Sequence, residues 1–361
     1  MNKDNKKIIV ATGGTGGHVF PAVSLTNYLD SIGFDLTLTT DKRGHKFIDS
    51  KFIKNTKIIN SYSFNKKKFF TSIFNILFSI ISSFIFLFKA KPKFIFGMGG
   101  YASFPICFAG IILKIPFIIY ENNLFIGKAN RFLIPFAKKI FISYKDIEGI
   151  KVKYKDKTVI VGNIIREKII NNSRVNKNET YNSLNILILG GSQAAKIFAE
   201  VLPDILIECK KKMINLKIYQ QCLNEQKLNL QKKYEKFNVN HELFSFTFDI
   251  LKYYNLSNLV ITRAGSSALA ELLNCKIPII SIPLATSSEN HQFKNAQYFM
   301  KKGYGFIVEE KNIKNELFNL LQSIHKDKSV LNLIKKNQEK HSDINVFTII
   351  KKEIIKLFYE N

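Results

Sequence analysis

The stretch IIVATGGTGGHVFPA, residues 8–22, decides how this chain is read. Ile8 to Ala11 is a short apolar run of the buried-strand kind, and the glycines from Gly13 to Gly17 break it. His18, Val19, Phe20 and Pro21 then open a helix. A strand, a glycine turn and a helix in that order begin a βαβ unit, with backbone N–H groups at the helix start suited to an anion. The spacing departs from the common nucleotide loops. A dinucleotide GxGxxG counted from Gly14 would need glycine at 19, where Val19 stands, and the GK[ST] of a phosphate-binding P-loop is absent.

The same alternation continues outward. Ile8–Ala11, Leu36–Thr39, Phe94–Phe96, Phe117–Tyr120, Ile140–Ile142 and Val159–Val161 read as buried strands separated by helical patterns, which predicts a parallel sheet. An Asn-rich stretch, Lys168 to Ser183, reads as a linker. Strands Ile186–Leu189, Ile218–Gln221, Leu259–Ile261, Ile279–Ile282 and Phe306–Val308 then form a second doubly wound domain. Both halves open with a strand, a glycine pair (Gly13-Gly14, Gly190-Gly191) and a helix, which predicts two similar modules facing one cleft. A closing segment, Ile344 to Phe358, has apolar residues at helical spacing and is free to pack on either half.

Four further motifs follow strand ends, where ligands bind in doubly wound sheets. They are Gly97-Met98-Gly99-Gly100-Tyr101-Ala102-Ser103, Tyr120-Glu121-Asn122-Asn123, Gly190-Gly191-Ser192-Gln193 and Arg263-Ala264-Gly265-Ser266-Ser267 with Glu271 beyond it. The third, Gly190-Gly191-Ser192-Gln193, offers N–H groups and a hydroxyl to a diphosphate. The last combines a cation, a helix start and a carboxylate suited to ribose hydroxyls. His18, beside four glycines, is the candidate general base.

Composition narrows the partners. With 361 residues, 46% hydrophobic and 23% charged, the chain fits two folded domains. Lys and Arg number 54 against 28 Asp and Glu, a net charge of +26 that favours anionic partners. Nucleic acid is not expected, because no aromatic RNA-binding motif is visible and the glycines cluster after strands. Cys107, Cys209, Cys222 and Cys275 are far apart, which predicts reduced thiols without a metal site. The polar start, Met1 to Lys7, leaves no signal-peptide core, so a cytoplasmic location is expected. Phe69 to Phe88 is twenty residues without a charge, long enough to span a bilayer. Spanning would split one sheet across the membrane. Its Ser72, Asn75, Ser79, Ser82 and Ser83 oppose an apolar face, and lysines flank it (Lys66, Lys67, Lys68, then Lys89, Lys91, Lys93), which predicts a helix lying in the plane of an anionic membrane surface.

In this order the motifs GGTGGHVFPA, GMGGYASFP, YENN, VGNIIR, GGSQAAK, RAGSSALAE and NHQFKNA resemble those of the MurG family of peptidoglycan N-acetylglucosaminyltransferases, over about residues 10–297. The resemblance implies a GT-B fold of two Rossmann-like α/β domains, 1–165 and 166–344, with a C-terminal helix (345–361) crossing back to the first. It implies UDP-N-acetylglucosamine as donor, lipid I as acceptor, inversion, lipid II as product for peptidoglycan synthesis, no cofactor or metal, and a peripheral site at the cytoplasmic face of the inner membrane. Thr15, Gly16, Gly17 and Asn123 would lie near the donor sugar, and Arg166 and Ser192 would hold phosphates. Ile250 and the run Ser266, Ser267, Ala268, Leu269, Ala270 and Glu271 would hold uridine, with Glu271 on the ribose and Gln292 reading the sugar. On the acceptor side would stand Gly14, Gly99, Gly100, Tyr101, His18 and Glu121, the last two as the catalytic pair. The chain departs from the family at YENN for HEQN, at Ile164 for a proline and at Ala194 for a glycine. A glycolipid-forming transferase, a sugar-nucleotide epimerase and a basic binding scaffold are the rival readings.

Overall fold

A computed structural model of the chain describes residues 7–49, 55–62, 69–172, 183–191 and 196–359. It forms two compact units, Met1–Arg166 with Asp343–Asn361, and Glu167–Ser342.

In the first unit β1 (Lys7–Ala11), α1 (Gly16–Ser31), β2 (Asp35–Thr40), α2 (Lys42–His45), β3 (Thr56–Ile58) and α3 (Phe69–Ala90) are followed by β4 (Phe94–Gly97), α4 (Gly100–Ile112), β5 (Phe117–Glu121), α5 (Lys128–Leu133), β6 (Lys139–Ile142) and β7 (Thr158–Ile160). The seven strands are parallel in the order β3-β2-β1-β4-β5-β6-β7. Ile8 to Ala11 are fully buried, as a strand covered on both faces requires. Ile9, Ile95, Ile106, Phe117, Ile119 and Leu133 centre the core on one face of the sheet.

The second unit runs α6 (Glu167–Asn172), β8 (Leu184–Leu189), α7 (Lys196–Lys211), β9 (Leu216–Gln221), α8 (Asn224–Lys236), β10 (Asn240–Phe244), α9 (Ile250–Leu256) and β11 (Leu259–Thr262). It continues through α10 (Ser266–Asn274), β12 (Ile279–Ser281), α11 (His291–Lys301), β13 (Gly305–Ile307), α12 (Ile313–Lys326) and α13 (Ser329–Gln338). Its six parallel strands are ordered β10-β9-β8-β11-β12-β13. The stretch expected to be a linker opens instead with α6, because Ile169 and Ile170 bury their side chains; residues 173–182 lie outside the description.

The closing helix, α14 (Val346–Tyr359), packs on the first unit. Phe347 stacks on Tyr28 at 4.7 Å between ring centroids, Phe358 meets Phe34 and Phe94, and Ile350 and Ile354 are fully buried. Just before it, Asp343 accepts the backbone N–H of Asn163 at 2.8 Å and its side-chain amide at 3.2 Å. All four cysteines are free thiols, and burial pushes that of Cys107 up to about 12.

Helix α3 is amphipathic, as the spacing of its serines predicts. The serine stripe faces inward, with Ser72, Ser79, Ser83 and Leu87 buried where α3 packs on α4. Ser79 and Ser83 donate to the carbonyls of Asn75 and Ser79, so small side chains allow close helix approach without orphaned hydroxyls. The apolar face looks outward: Phe70 is 86% exposed, Phe74 70%, and Leu77, Phe78, Ile81, Ile85 and Phe88 are exposed as well. Length and composition would let α3 cross a membrane. Yet β3 before it and β4 after it lie in one sheet, so a crossing would tear that sheet apart.

Candidate functional site

Each sheet has one topological switch point. The chain runs outward from β1 to β3 and returns beside β1 as β4, and likewise returns beside β8 as β11. Loops at such points border the ligand crevice. The motifs read from sequence sit there: Thr12–Gly17 after β1, Met98–Gly100 after β4, Gly190–Gly191 after β8 and Arg263–Gly265 after β11.

In the first unit His18 joins two loops. Its Nδ1 lies 3.1 Å from the carbonyl of Met98, and since a carbonyl only accepts, Nδ1 carries the proton and Nε2 the lone pair. The imidazole rests on Gly99 and Gly100, where a Cβ would approach it to 3.5 and 3.3 Å. Both glycines have positive φ, 82° and 71°, a conformation that disfavours other residues at the turn. A third loop, after β5, joins through Asn122, whose Nδ2 donates to the carbonyl of Gly17 at 3.3 Å.

Glu121 stands 3% exposed beneath that loop. Its Oε1 accepts the backbone and side-chain N–H of Asn123, and its Oε2 those of Gly127 and of the Asn130 side chain, at 2.9 to 3.1 Å. Four donors, three from its own loop and one from α5, occupy the carboxylate. This geometry holds Asn123 in place.

The Gly14 N–H, offered by the sequence reading to a bound anion, donates instead to Asp41 Oδ1 at 2.8 Å. Asp41, at the end of β2 and 3% exposed, also accepts from Gly44 N at 2.7 Å, and its Oδ2 pairs with Arg43 at 3.1 Å. It pins the glycine turn to α2. The Arg43 guanidinium covers the ring of Tyr101 at 4.9 Å, and the Tyr101 hydroxyl, shielded from solvent beside Gly14, has no hydrogen-bond partner among the described residues. Thr15 is exposed at the lip of the turn while Gly16 packs under Phe20, whose ring also carries the Arg166 guanidinium at 5.1 Å. Arg166 thus sits over the first turn of α1.

In the second unit Ser192 lies outside the described residues, as does Ala194. Gly191, with φ 81°, has open space where a Cβ would be. Arg263 is not the ligand cation expected from sequence. It is 9% exposed, donates to the carbonyls of Ile282 and Pro283, pairs with Glu310 and lies over Phe198. Four structural partners consume its charge. Along α10 the side chains of Leu269 and Ala270 are core residues, fully buried, and Leu269 N already bonds the carbonyl of Gly265. The first turn, Ser266, Ser267 and Ala268, has its amides outside the helical ladder. Glu271, 5% exposed, accepts a hydrogen bond from Tyr254 at 3.0 Å. Ile250 starts α9, 8% exposed. Gln292 Oε1 accepts Leu284 N at 2.9 Å, which turns its amide NH₂ toward other partners. Before it, Glu289 and Asn290 take consecutive left-handed conformations, φ 50° and 56°, a strain that clusters at ligand clamps. Among the described residues no group of three or more His, Cys, Asp or Glu is placed to hold a metal.

Comparisons with known proteins meet this geometry along almost the whole chain. The Glycosyltransferase family 28 N-terminal domain matches residues 8–142 and the Glycosyltransferase family 28 C-terminal domain residues 185–349. The chain belongs to glycosyltransferase family 28, and within it to the MurG family. A family 28 relative from Pelagibacter ubique, named UDP-N-acetylglucosamine–N-acetylmuramyl-(pentapeptide) pyrophosphoryl-undecaprenol N-acetylglucosamine transferase, is 36% identical over 99% of this chain and 100% of its own. One of the same name from Rickettsia felis is 35% identical over 93% and 97%. The crystal structure of Acinetobacter baumannii MurG aligns with TM-score 0.76 at 25% identity, covering 97% of this chain and 99% of that one. A Staphylococcus aureus MnaA structure with UDP aligns at 0.69 and 16% identity and shares the fold alone. The two doubly wound sheets are those of the GT-B glycosyltransferases of family 28.

The residues that sequence reading missed are Asp41, Arg43, Asn130 and Tyr254. Asp41 carried a usable signal, a charged residue directly ending an apolar strand, the pattern that singled out Glu121. Tyr254 carried none, since nothing in its neighbourhood distinguishes it from a core aromatic.

Proposed function

We propose that this chain transfers N-acetylglucosamine from UDP-N-acetylglucosamine to the muramyl 4-hydroxyl of lipid I, giving lipid II with inversion at the anomeric carbon. Its relatives bear that activity in their names along their full length, and the observation carrying the chemistry is the locked imidazole of His18. With Nδ1–H held by Met98 O, Nε2 is the basic nitrogen, set among the glycines of two loops that let a sugar and a diphosphate come close. His18 takes the hydroxyl proton as the oxygen attacks the anomeric carbon and UDP leaves from the opposite face. Glu121 acts by holding Asn123, which with Thr15, Gly16 and Gly17 borders the transferred sugar. Tyr101, Gly14, Gly99 and Gly100 receive the acceptor.

The second unit carries the donor. Ile250 packs on uracil, the run from Ser266 to Glu271 holds the uridine with Glu271 accepting from the ribose, Gln292 donates to the N-acetylglucosamine, and Ser192 donates hydrogen bonds to the leaving diphosphate, whose charge Arg166 of the first unit offsets. The outward face of α3, with the phenylalanine ladder of Phe104 and Phe108 on α4, Phe132 on α5 and Phe136 just after it, rests in the cytoplasmic surface of the inner membrane, where lipid I is anchored. Incubating the chain with radiolabelled UDP-N-acetylglucosamine and a lipid I analogue tests the proposal. Label is expected in the lipid fraction; release of free sugar or epimerised nucleotide without lipid labelling would refute it.

A further inference from the structure

We propose that Tyr254 is a positioning residue for nucleotide recognition, fixing the Glu271 carboxylate so that its second oxygen meets the ribose hydroxyls. The inference rests on the placement of Glu271 at the ribose in the function proposed above. Tyr254 is 3% exposed and Glu271 5%, and the phenol donates to Oε2 at 3.0 Å. A glutamate carboxylate is placed by three side-chain torsions before it reaches a ligand. A rigid phenol bonded to one oxygen arrests that rotation and gives the other oxygen a defined direction, so the entropy of ordering it is lost during folding and not during binding.

Helix α9 ties this to the base. Ile250 and Tyr254 stand four residues apart, one turn along a common face. One short helix therefore offers an aliphatic contact for a pyrimidine and, a turn later, the phenol that aims the ribose carboxylate. Base and ribose recognition are set together, and a shift of α9 would disturb both. The adjacent Tyr253 marks the contrast. Its phenol bonds a different carboxylate, Glu242, at 3.0 Å, and its ring stacks on Phe244 at 3.9 Å. Two neighbouring tyrosines on one helix thus serve two acids, and only one of those acids lies on α10.

That contrast supplies the experiment. Calorimetric titration of the full chain with UDP and with 2′,3′-dideoxy-UDP is compared for wild type, Tyr254→Phe, Tyr253→Phe and Glu271→Gln, with thermal melts run alongside. Tyr254→Phe keeps the ring and removes only the hydroxyl. It is expected to weaken UDP by about tenfold, the size of one hydrogen bond to a charged group, and to leave the dideoxy ligand unchanged. Tyr253→Phe is expected to treat both ligands as wild type does. Equal losses for both ligands in Tyr254→Phe would show a packing role and overturn the inference, as would no loss for either. If wild type binds both ligands equally and Glu271→Gln changes neither, Glu271 does not read the ribose; that result removes the donor assignment first and this inference with it.

Discussion

At the residue scale, the site separates groups that meet substrate from groups that hold them. His18→Ala removes the lone pair fixed by Met98 and is expected to lower kcat by about 10² to 10⁴, with the KM for UDP-N-acetylglucosamine nearly unchanged; steady-state kinetics at saturating acceptor check this, and wild-type turnover would remove His18 as base. Glu121 should behave differently. Glu121→Gln points an amide NH₂ at donors that now meet a carboxylate oxygen, so the loop loses hydrogen bonds to a buried charge worth about 2 kcal/mol. The expected readout is a melting temperature lower by roughly 5 °C, and an unchanged melt with lost turnover would restore a direct catalytic role. The motif Tyr120-Glu121-Asn122-Asn123 was legible as a polar cluster at a strand end, but its division of labour was not. Which oxygen a buried acid offers depends on donors up to nine residues away, and only the folded loop brings Asn130 beneath it.

At the scale of elements, most of the architecture was legible because both sheets are parallel and buried on two faces, so strands such as Ile8–Ala11 and Leu259–Ile261 are unbroken apolar runs. The strands that escaped, β3 and β10, lie at sheet edges and are polar in sequence, Thr56–Ile58 and Asn240–Phe244. Edge strands need not hide both faces, and their signal fades. Helix α3 was legible as amphipathic from serine set against phenylalanine, but the packing of its serine face on α4 was not. The hydroxyls return to carbonyls of their own helix, and that makes an inward serine stripe inexpensive. The exposed apolar face carries a test. Phe74→Glu with Phe78→Glu places two charges on the exposed face, so liposome flotation with anionic vesicles should fall by at least tenfold while the melting temperature stays within about 2 °C, because neither side chain is packed. Retained binding at low salt would move the membrane contact elsewhere.

At the scale of the whole molecule, the chain leaves its first unit at Arg166, builds the second, and returns at Asp343 to finish the first. The sequence allowed Ile344 to Phe358 to pack on either half, as an apolar stripe names a partner only by shape. What directs it is a pair of contacts remote in sequence: the Asp343 carboxylate on Asn163, 180 residues earlier, and the stacking of Phe347 on Tyr28. Because Asp343 accepts both the backbone and the side chain of Asn163, its loss leaves two buried donors without their acceptor, at a cost of about 2 to 4 kcal/mol. That cost falls on one unit only. Asp343→Ala is therefore expected to split calorimetric unfolding, with the transition of the first unit lowered by about 5 to 10 °C and that of the second held in place. UDP, proposed to bind the second unit, should then raise only the upper transition. A single transition that falls as a whole would mean that the two units unfold as one, and that the anchor at Asp343 stabilises both.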